Sequence, residues 1–465
     1  MEKEFREIIK TGNWNEVEKW VCSNNGEIDL SECKNSVQVE KIINIIKKVF
    51  TNNSNSLLIR ICSEALASAC EKNDLDMVST LLANGANVNA YGKNRLLPMH
   101  IAVKNMNIDI VRFLIEKGAY VDGVTKICEH ELNNELCVLT PITPLGLLWS
   151  EISEQIDHIN ASCGHKWDDN EYDDEFNFDK AIEITWELLY AGAETKKIYY
   201  DKKQRAVVIL SGMVEAYEKI NQPENKKKIF SIIEYVCKNE KNMIDKNNEY
   251  QCYMGWIQHE ERIENITKVS YEWGEIKAPI HCVNVDKETE LLELFLKNGF
   301  SGYMKDVDGK TLMHKWIYQC YFGNRKDAME IMLKYGVNPH MEDREDFTPL
   351  SYLLNMPYAF YPEIYDSYQQ MVEFGVVVDD PVEYKWTDKG QYVAESEDSI
   401  CKHFEKMKKQ YEEYEEMERL EIEYYNQKEK MQDELPHWSN DEDNCDEDDM
   451  KSLPEYWDGL YNRHL

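Results

Sequence analysis

One stretch of the sequence collects the residue types that bind zinc. His158, Cys163, His165 and Asp168 lie close together, and imidazole, thiolate and carboxylate are the ligands that Zn²⁺ takes in proteins. A bound zinc would stabilise a loop that has no hydrophobic core of its own. However, the spacing matches no established zinc knuckle, and single His and Cys residues are frequent in acidic loops. We therefore predict no cofactor and no metal, with these four residues as the alternative metal site.

Other short motifs that suggest chemistry are incomplete. The tripeptide Gly-Lys-Thr at 309–311 could end a phosphate loop, but Met304 stands where that loop needs its first glycine. The residues at 306–309 match part of a calcium loop that lacks its later carboxylate ligand. The dipeptide His-Glu at 259–260 lacks the second histidine of a metalloprotease helix. The sequence predicts a chain that is not an enzyme. The alternative is a regulatory or enzymatic protein with an undetected ligand or metal site in the divergent region 151–280.

Two histidines, the residue type most often used as a general base, fall at the same place in a repeated pattern. His100 ends the run Leu-Pro-Met-His at 97–100, and His314 ends the run Thr-Leu-Met-His at 311–314. No nucleophilic residue stands at a fixed spacing from either histidine. The shared pattern favours a structural role for both imidazoles.

The residues around His100 predict two short helices in each repeat. Gly85 and Gly118 each follow an amphipathic run and lie 33 residues apart, and glycine is the residue that most often ends a helix. Pro98 suits the first turn of a helix, where its missing N–H would have no partner anyway. The residues predicted to face the interior of the stack are Met77, Leu81, Leu82, Ile110, Val111, Leu114 and Leu333.

This pattern resembles the ankyrin repeat, in which a T-P-L-H-x-A run opens the first helix and Gly-Ala follows the second. Residues 97–102 match this run with Leu in place of Thr, and residues 311–314 match it with Leu in place of Pro. Thr-Pro-Leu at 143–145 and at 348–350 gives two further starts. The resemblance implies that His100 and His314 bond to the backbone of the neighbouring hairpin.

The resemblance also implies an all-α ankyrin-repeat solenoid of about eight helix-turn-helix units with short hairpins. Insertions at 151–180, 251–280 and 356–368 interrupt the units and are expected to project as loops from one side. A charged helix is predicted over Ser396–Glu434. The predicted segments are a degenerate N-terminal repeat or cap (1–56), well-matched repeats (57–126), divergent repeats with insertions (127–285), well-matched repeats (286–390), a long charged C-terminal helix (391–436), and an acidic linker with a short aromatic segment (437–465).

The composition restricts the partners and the compartment. The formal net charge of the 465 residues is -34, of which the 13 residues at 167–179 carry seven acids and no base. Residues 395–449 add 21 acids against seven bases. Such a field repels phosphate backbones, so no nucleic acid is expected. Thirteen cysteines without paired spacing and no apolar run long enough to span a bilayer predict a cytoplasmic protein that does not bind a membrane.

These observations predict a non-enzymatic protein-binding scaffold whose acidic surface selects a basic protein partner. A sharper hypothesis is an inhibitor or immunity-type protein that masks a toxin or nuclease. Another alternative is a scaffold that assembles with itself through the helix at 396–434. The predicted partner-binding residues are Tyr91, Lys93, Arg95, Lys305, His340, Glu342 and Arg344 at hairpin tips, and Trp167, Phe176, Trp256, Tyr358 and Phe360 in the insertions.

Overall fold

The structure is a computed structural model. Its contacts divide the chain into a larger unit, Met1–Met356 with Pro362–Glu397, and a smaller unit, Pro357–Tyr361 with Asp398–Leu465. The residues that it describes are 2–24, 28–50, 54–125, 142–162, 176–200, 206–239, 253–263, 266–285, 287–318, 325–354, 361–376, 381–383 and 395–434.

The larger unit is built from pairs of antiparallel helices. The helices are α1 (Glu2–Thr11), α2 (Trp14–Ser23), α3 (Ser36–Val49), α4 (Ser54–Glu71), α5 (Leu75–Ala83), α6 (Pro98–Lys104), α7 (Ile108–Glu116), α8 (Pro144–Ser162), α9 (Phe178–Tyr190), α10 (Ile209–Lys219), α11 (Pro223–Asn239), α12 (Pro279–Cys282), α13 (Thr289–Lys297), α14 (Leu312–Tyr318), α15 (Arg325–Lys334), α16 (Pro349–Leu354) and α17 (Tyr361–Glu373). A 3-10 turn at Leu30–Glu32 precedes α3.

The helix pairs stack in two columns. The first helices α4, α6, α8, α10 and α12 contact each other in succession, as do α14 and α16. The second helices α3, α5, α7, α9, α11, α13 and α15 form the other column, again by contact between successive members. Helices within the stack therefore bury apolar surface against the other helix of their own repeat and against the equivalent helices of the two adjacent repeats. Such contacts between neighbours form the continuous core of a repeat stack. This arrangement confirms the predicted all-α solenoid.

The same local signals begin and end the second helices. The side chain of Asp74 accepts a hydrogen bond from the N–H of Met77 at 2.9 Å, and Asn107 and Asn177 cap α7 and α9 in the same way. At the other end of α5, Gly85 has a φ of 91°. The N–H of Ala86 then donates to the carbonyl of Leu81 at 3.1 Å, which closes the helix with a Schellman motif. The same bond follows Gly118, Gly192, Gly299, Gly336 and Gly375.

The burial of the second helices confirms most of the predicted core and corrects two positions. Ile110, Val111 and Leu114 are all buried, as predicted. Leu82 and Leu333 are only half-buried. In α5, Val78 is fully buried together with the predicted Met77 and Leu81. In α15 the fully buried residue is Met332, one position before Leu333.

The second predicted insertion, 251–280, is a β-hairpin and part of a repeat. Strands β3 (Tyr253–Ile263) and β4 (Ile266–Ile276) pair antiparallel from Tyr253↔Ile276 to Ile263↔Ile266. Helix α12 then begins at Pro279, inside the predicted insertion, and opens the next unit. A shorter antiparallel pair, β1 (Ile198–Tyr200) with β2 (Ala206–Val208), precedes α10.

The insertions do not all leave from one end of the helix pairs. The residues at 163–175 fall between α8 and α9 of the same unit, whereas β3 and β4 fall between α11 and the first helix of the next unit. Consecutive connections of antiparallel helices lie at opposite ends, so the prediction that all insertions project from one side is wrong. The predicted third insertion, 356–368, is also shorter, because α17 begins at Tyr361.

The smaller unit contains the long charged helix that the sequence predicts. Helix α18 spans Ile400–Glu434. It begins four residues later than predicted, because residues 395–399 form strand β6 and pair with β5 (Pro381–Glu383).

Candidate functional site

Two histidines that resemble catalytic bases hold adjacent repeats together. The Nε2 of His100 lies 2.8 Å from the carbonyl oxygen of Ile142, and the Nε2 of His314 lies 3.0 Å from that of Phe347. Both rings are fully buried, and burial lowers the pKa of His100 to about 4. A neutral imidazole that donates to a backbone carbonyl has a structural role, which confirms the prediction for this pair.

A third histidine has the same role and was not predicted. His281 lies at the end of Ala-Pro-Ile-His at 278–281, and its Nε2 lies 3.0 Å from the carbonyl oxygen of Met304. Burial lowers its pKa to about 4 as well. One unit earlier, the hydroxyl of Ser211 donates to the carbonyl of Lys277 at 2.8 Å. The run Ala-Pro-Ile-His differs from the repeat signature by two conservative changes, and that signal was available in the sequence.

The partial calcium and phosphate motifs form an ordinary turn. One carboxylate oxygen of Asp306 accepts from the N–H of Asp308 at 2.9 Å and from that of Lys310 at 2.7 Å. Gly309 has a φ of 84°, and an added Cβ would meet the backbone of Arg344. The glycine is therefore required by the turn and by close packing of two hairpins.

The predicted zinc ligands are not brought together among the described residues. His158 lies in α8, and Cys163, His165 and Asp168 lie outside the part of the chain that the structure describes. Within that part, no group of three potential ligand side chains converges on one point.

Three of the predicted hairpin contacts connect parts of the stack. The hydroxyl of Tyr91 donates to the carbonyl of Val124 in the next hairpin at 2.9 Å. The ammonium group of Lys305 donates to the carbonyl of Glu342 in the following hairpin at 2.7 Å. Lys93 forms an ion pair with Asp29 at 2.7 Å. These side chains are therefore engaged within the protein.

The remaining predicted contacts differ in how much of them is exposed. His340, Glu342 and Arg344 are exposed, and Arg95 is half-buried with a φ of 63°. Trp256 lies in β3 directly opposite Trp273 of β4. Phe176 is half-buried, and Trp167, Tyr358 and Phe360 lie outside the described residues.

A groove of about 610 Å³ opens where α9 and α11 begin. The rings of Phe176 and Phe178 line it together with Asp179, Glu224 and Lys228. The ammonium group of Lys228 lies 2.5 Å from a carboxylate oxygen of Asp179. Phe176 is thus one predicted contact that lies in a concave site.

Three aromatic rings meet farther along the same two helices. The rings of Trp186 and Tyr190 stack with centroids 5.4 Å apart. Tyr235 of α11 meets both edge-on, at 5.2 Å from Trp186 and 5.4 Å from Tyr190. Tyr190 is nonetheless 66% exposed. Exposed tyrosine and tryptophan side chains are the residues most enriched in protein interfaces.

The groove and the aromatic rings belong to one surface, which we call the α9–α11 strip. Successive members on each helix are three or four residues apart, so each set lies along one helix face. A helix rises about 1.5 Å per residue, which separates Asp179 from Tyr190 by about 16 Å. All members are exposed or half-buried, and they are Asp179, Glu183, Trp186 and Tyr190 of α9 with Glu224, Lys228, Ser231 and Tyr235 of α11.

The strip is flanked by an ion-pair network that fixes α9 against α7. The guanidinium group of Arg112 donates to Glu187 at 2.8 Å and to Glu183 at 2.8 Å. The sequence prediction missed the strip. The available signal was Trp186 and Tyr190 four residues apart on the polar side of a helix whose other side is apolar.

Comparisons with known proteins identify the repeats. The family model for ankyrin repeats, in three copies, matches residues 35–124. A putative ankyrin repeat protein of Fowlpox virus (strain NVSL) is 31% identical over 104 residues, which is 22% of this chain and 14% of that relative. A second putative ankyrin repeat protein of the same virus is 42% identical over 50 residues, which is 11% of this chain and 36% of the relative.

A human relative matches over a shorter length. The transient receptor potential cation channel subfamily A member 1 of Homo sapiens is 43% identical over 51 residues, which is 11% of this chain and 5% of the channel. The match thus covers well under two thirds of each of these relatives.

Two solved ankyrin repeat domains are similar to the structure at low TM-scores. The domain of Bcl-3, a member of the IkappaB protein family, has a TM-score of 0.34 at 14% identity and covers 62% of this chain and 92% of its own. The domain of human ASB11 has a TM-score of 0.32 at 16% identity and covers 61% of this chain and 89% of its own. The assignment rests on the matched repeats and on the helix pairs described above.

Residues 35–124 of the chain are therefore ankyrin repeats. Ankyrin repeats indicate a scaffold for protein–protein interaction, and such domains are generally non-enzymatic binding modules. Within the residues that the structure describes, no helix is both long and apolar enough to cross a bilayer.

Proposed function

We propose that this chain is a non-enzymatic scaffold that binds a basic protein partner in the cytoplasm. The observation that carries the proposal is the distribution of charge on a repeat stack. Of the net charge of -34, the segments 167–179 and 395–449 together hold -21. A stack of preformed helix pairs loses little conformational entropy on binding, so its surface can bind a partner without first folding.

The charge selects the class of partner. Carboxylates concentrated in two segments produce a negative potential that attracts cationic surfaces and accelerates encounter. The same potential repels the phosphates of nucleic acids and of anionic membranes. A basic protein is therefore the favoured partner. Nucleic acids and membranes are not favoured.

The sharper form of the proposal is an inhibitor or immunity-type protein. Toxins and nucleases that act on nucleic acid carry a positive surface for their substrate. A negative, rigid protein that covers that surface excludes the substrate while forming many charge-assisted contacts. The acidic segment that leads into the groove at Phe176 is consistent with this form.

Self-association through α18 is the second candidate. Its exposed apolar residues include Met417 and Leu420, which lie three residues apart on one face, and Ile422, which lies on another. A self-pairing helix needs one continuous apolar stripe, and glutamates at 416, 418, 421 and 423 interrupt these positions. A heterologous partner is therefore favoured over a second copy.

The proposal is tested by capture from a native lysate at two salt concentrations. The bait is the full-length chain, at about 50 mM and about 500 mM NaCl, because the Debye length falls several-fold between them. We expect the captured proteins to be enriched in high isoelectric points and to be released at the higher salt. The matched control replaces the six acids of 168–175 with their amides and should lose part of the capture.

Acidic or neutral proteins that stay bound at the higher salt would contradict the electrostatic proposal. The inhibitor form is then tested on any captured nuclease or toxin by measuring its activity with and without the chain. Full activity of the saturated complex would exclude inhibition.

A further inference from the structure

We propose that the α9–α11 strip binds an extended basic segment of the protein partner, with one cationic side chain in the groove and an arginine on the ring of Tyr190. The inference rests on the proposed function, because it takes the partner to be basic. It differs from the sequence prediction in placing the main contact on the second helices, away from the hairpin tips.

The groove offers one carboxylate to a cation. Two helix N-termini meet there and contribute about half a positive charge each. Lys228 is paired with Asp179, so the carboxylate that remains for a cationic side chain is that of Glu224. Glu224 forms no ion pair with any described residue.

The aromatic floor of the groove suits a long cationic side chain. Phe176 and Phe178 are half-buried and leave part of their surface to the groove. Lysine and arginine have apolar stems that pack on such rings while their charged ends reach carboxylates. Glu224 lines the same groove and supplies the carboxylate that the charged end of a bound lysine or arginine would reach.

The aromatic rings at the other end of the strip suit arginine in particular. A guanidinium group is planar, is weakly hydrated, and stacks on the faces of tyrosine and tryptophan. Trp186 and Tyr235 hold the ring of Tyr190 from two sides, so the ring is preorganised although 66% exposed. Little side-chain entropy is lost when a partner contacts it.

The distance between the two ends sets the length of the bound segment. The ends are about 16 Å apart along α9, and an extended chain advances about 3.3 Å per residue. Two basic side chains about five residues apart in the partner would therefore reach both ends at once. The hairpin tips offer less, since Tyr91 and Lys305 are engaged within the stack.

The test measures binding of fluorescein-labelled nona-arginine and nona-lysine to the full-length chain by fluorescence anisotropy. The tested variant is Tyr190→Ala. The matched control is Tyr120→Ala, because Tyr120 is 65% exposed but lies in a hairpin. Each tyrosine substitution is made in two backgrounds. One is the natural sequence, and the other has the acids at 441–449 replaced by amides, so that this acidic stretch does not compete for the peptide.

We expect Tyr190→Ala to weaken nona-arginine binding about five-fold or more, which corresponds to a cation–π contact of about 1 kcal/mol. The loss should be smaller for nona-lysine, and Tyr120→Ala should change either affinity less than about two-fold. Adding Glu224→Gln to Tyr190→Ala should weaken binding further. Thermal unfolding of each variant checks that the fold is retained.

Three results would overturn the inference, and they are distinguishable. Equal effects of the two tyrosine variants, with salt-sensitive binding to the wild type, would exclude the strip and leave the proposed function in place. Failure of the wild type to bind either peptide would refute the basic-partner proposal itself. A change in sedimentation on Tyr190→Ala would show that the strip contacts a second copy of this chain.

Discussion

The N–H of Thr311 donates to the Nδ1 of His314 at 3.0 Å, and the threonine hydroxyl lies 3.0 Å from the same nitrogen. With Nδ1 accepting, Nε2 carries the proton and donates to the carbonyl of Phe347. At the equivalent site, Leu97 replaces threonine, and the Nδ1 of His100 has no hydrogen-bond partner among the described residues. The first residue of the repeat signature therefore helps to set the tautomer of the histidine three positions later.

Removing the Thr311 hydroxyl should weaken this arrangement without creating a cavity. We expect Thr311→Val to lower the free energy of unfolding by about 1 kcal/mol, because valine has the same shape but leaves Nδ1 with one partner fewer. Urea unfolding followed by circular dichroism measures the change. The control is Thr289→Val, since the Thr289 hydroxyl bonds to no described residue. An equal loss in both variants would contradict the hydroxyl's role.

Acidification should destabilise the repeat stack through its buried histidines. Burial lowers the pKa of His100 and of His281 from 6.5 to about 4. Below about pH 6.5 the unfolded chain takes up protons that the folded chain does not accept until about pH 4, so stability falls between these values. Each histidine accounts for up to about 3 kcal/mol at the acidic end.

The histidine effect is separated from the titration of the many carboxylates by comparing variants. We expect the unfolding free energy of His100→Gln to fall less steeply with decreasing pH than that of the wild type. His340→Gln, at an exposed position, should keep the wild-type slope. Parallel slopes for all three proteins would show that His100 is not the titrating group.

The negative charge of Glu218 should destabilise the folded protein at neutral pH, whereas its side-chain oxygen is needed as a hydrogen-bond acceptor. Its carboxylate accepts from the N–H of Asn284 at 2.7 Å, and burial raises its pKa above the usual 4.5. A raised pKa means that its contribution is most favourable at acidic pH and is lost as the pH rises through the shifted value.

Glu218→Gln keeps the acceptor and removes the charge. We expect it to stabilise the chain at pH 7 by about 1 kcal/mol and to have little effect near pH 4. Glu218→Ala should destabilise at both values, because the N–H of Asn284 then loses its partner. Thermal melts at both pH values measure this, and destabilisation by the glutamine variant at pH 7 would refute the assignment.

The hydroxyl of Tyr199 should prevent any side chain at Gly212. A Cβ at Gly212 would meet the hydroxyl and ring edge of Tyr199, which is buried. We expect Gly212→Ala to cost about 1–3 kcal/mol through overpacking. Adding Tyr199→Phe removes the clashing oxygen and should recover part of the loss, which a double-mutant cycle measures. Additive losses would show that the two residues do not conflict.

The corrected core register makes a further prediction about the second helices. Leu114 and Met332 are fully buried, whereas Leu333 is half-buried. We expect Leu114→Asp and Met332→Asp to abolish cooperative melting, because each buries an unpaired charge. Leu333→Asp should keep a cooperative transition at lower temperature, and loss of that transition would favour the register predicted from the sequence.

Local features of the repeats were predictable because they depend on residues within a few turns. Gly85 and Gly118 end their helices through their own backbone freedom, and the cap at Asp74 reaches only three residues ahead. The roles of His100 and His314 followed from the same short signature. His281 follows the same rule and was overlooked only because two signature residues are replaced.

The identity of the free surface depended on tertiary structure. Tyr91 and Lys305 look like exposed contacts in the sequence, but each donates to a carbonyl in the next hairpin. Conversely, Asp179 and Lys228 are 49 residues apart and meet only because α9 and α11 stack side by side. The sequence alone determined that the chain builds stacked helix pairs and carries a strong negative charge. Which side chains remain available depended on the register between successive units, which is fixed by packing across long insertions that no local pattern encodes.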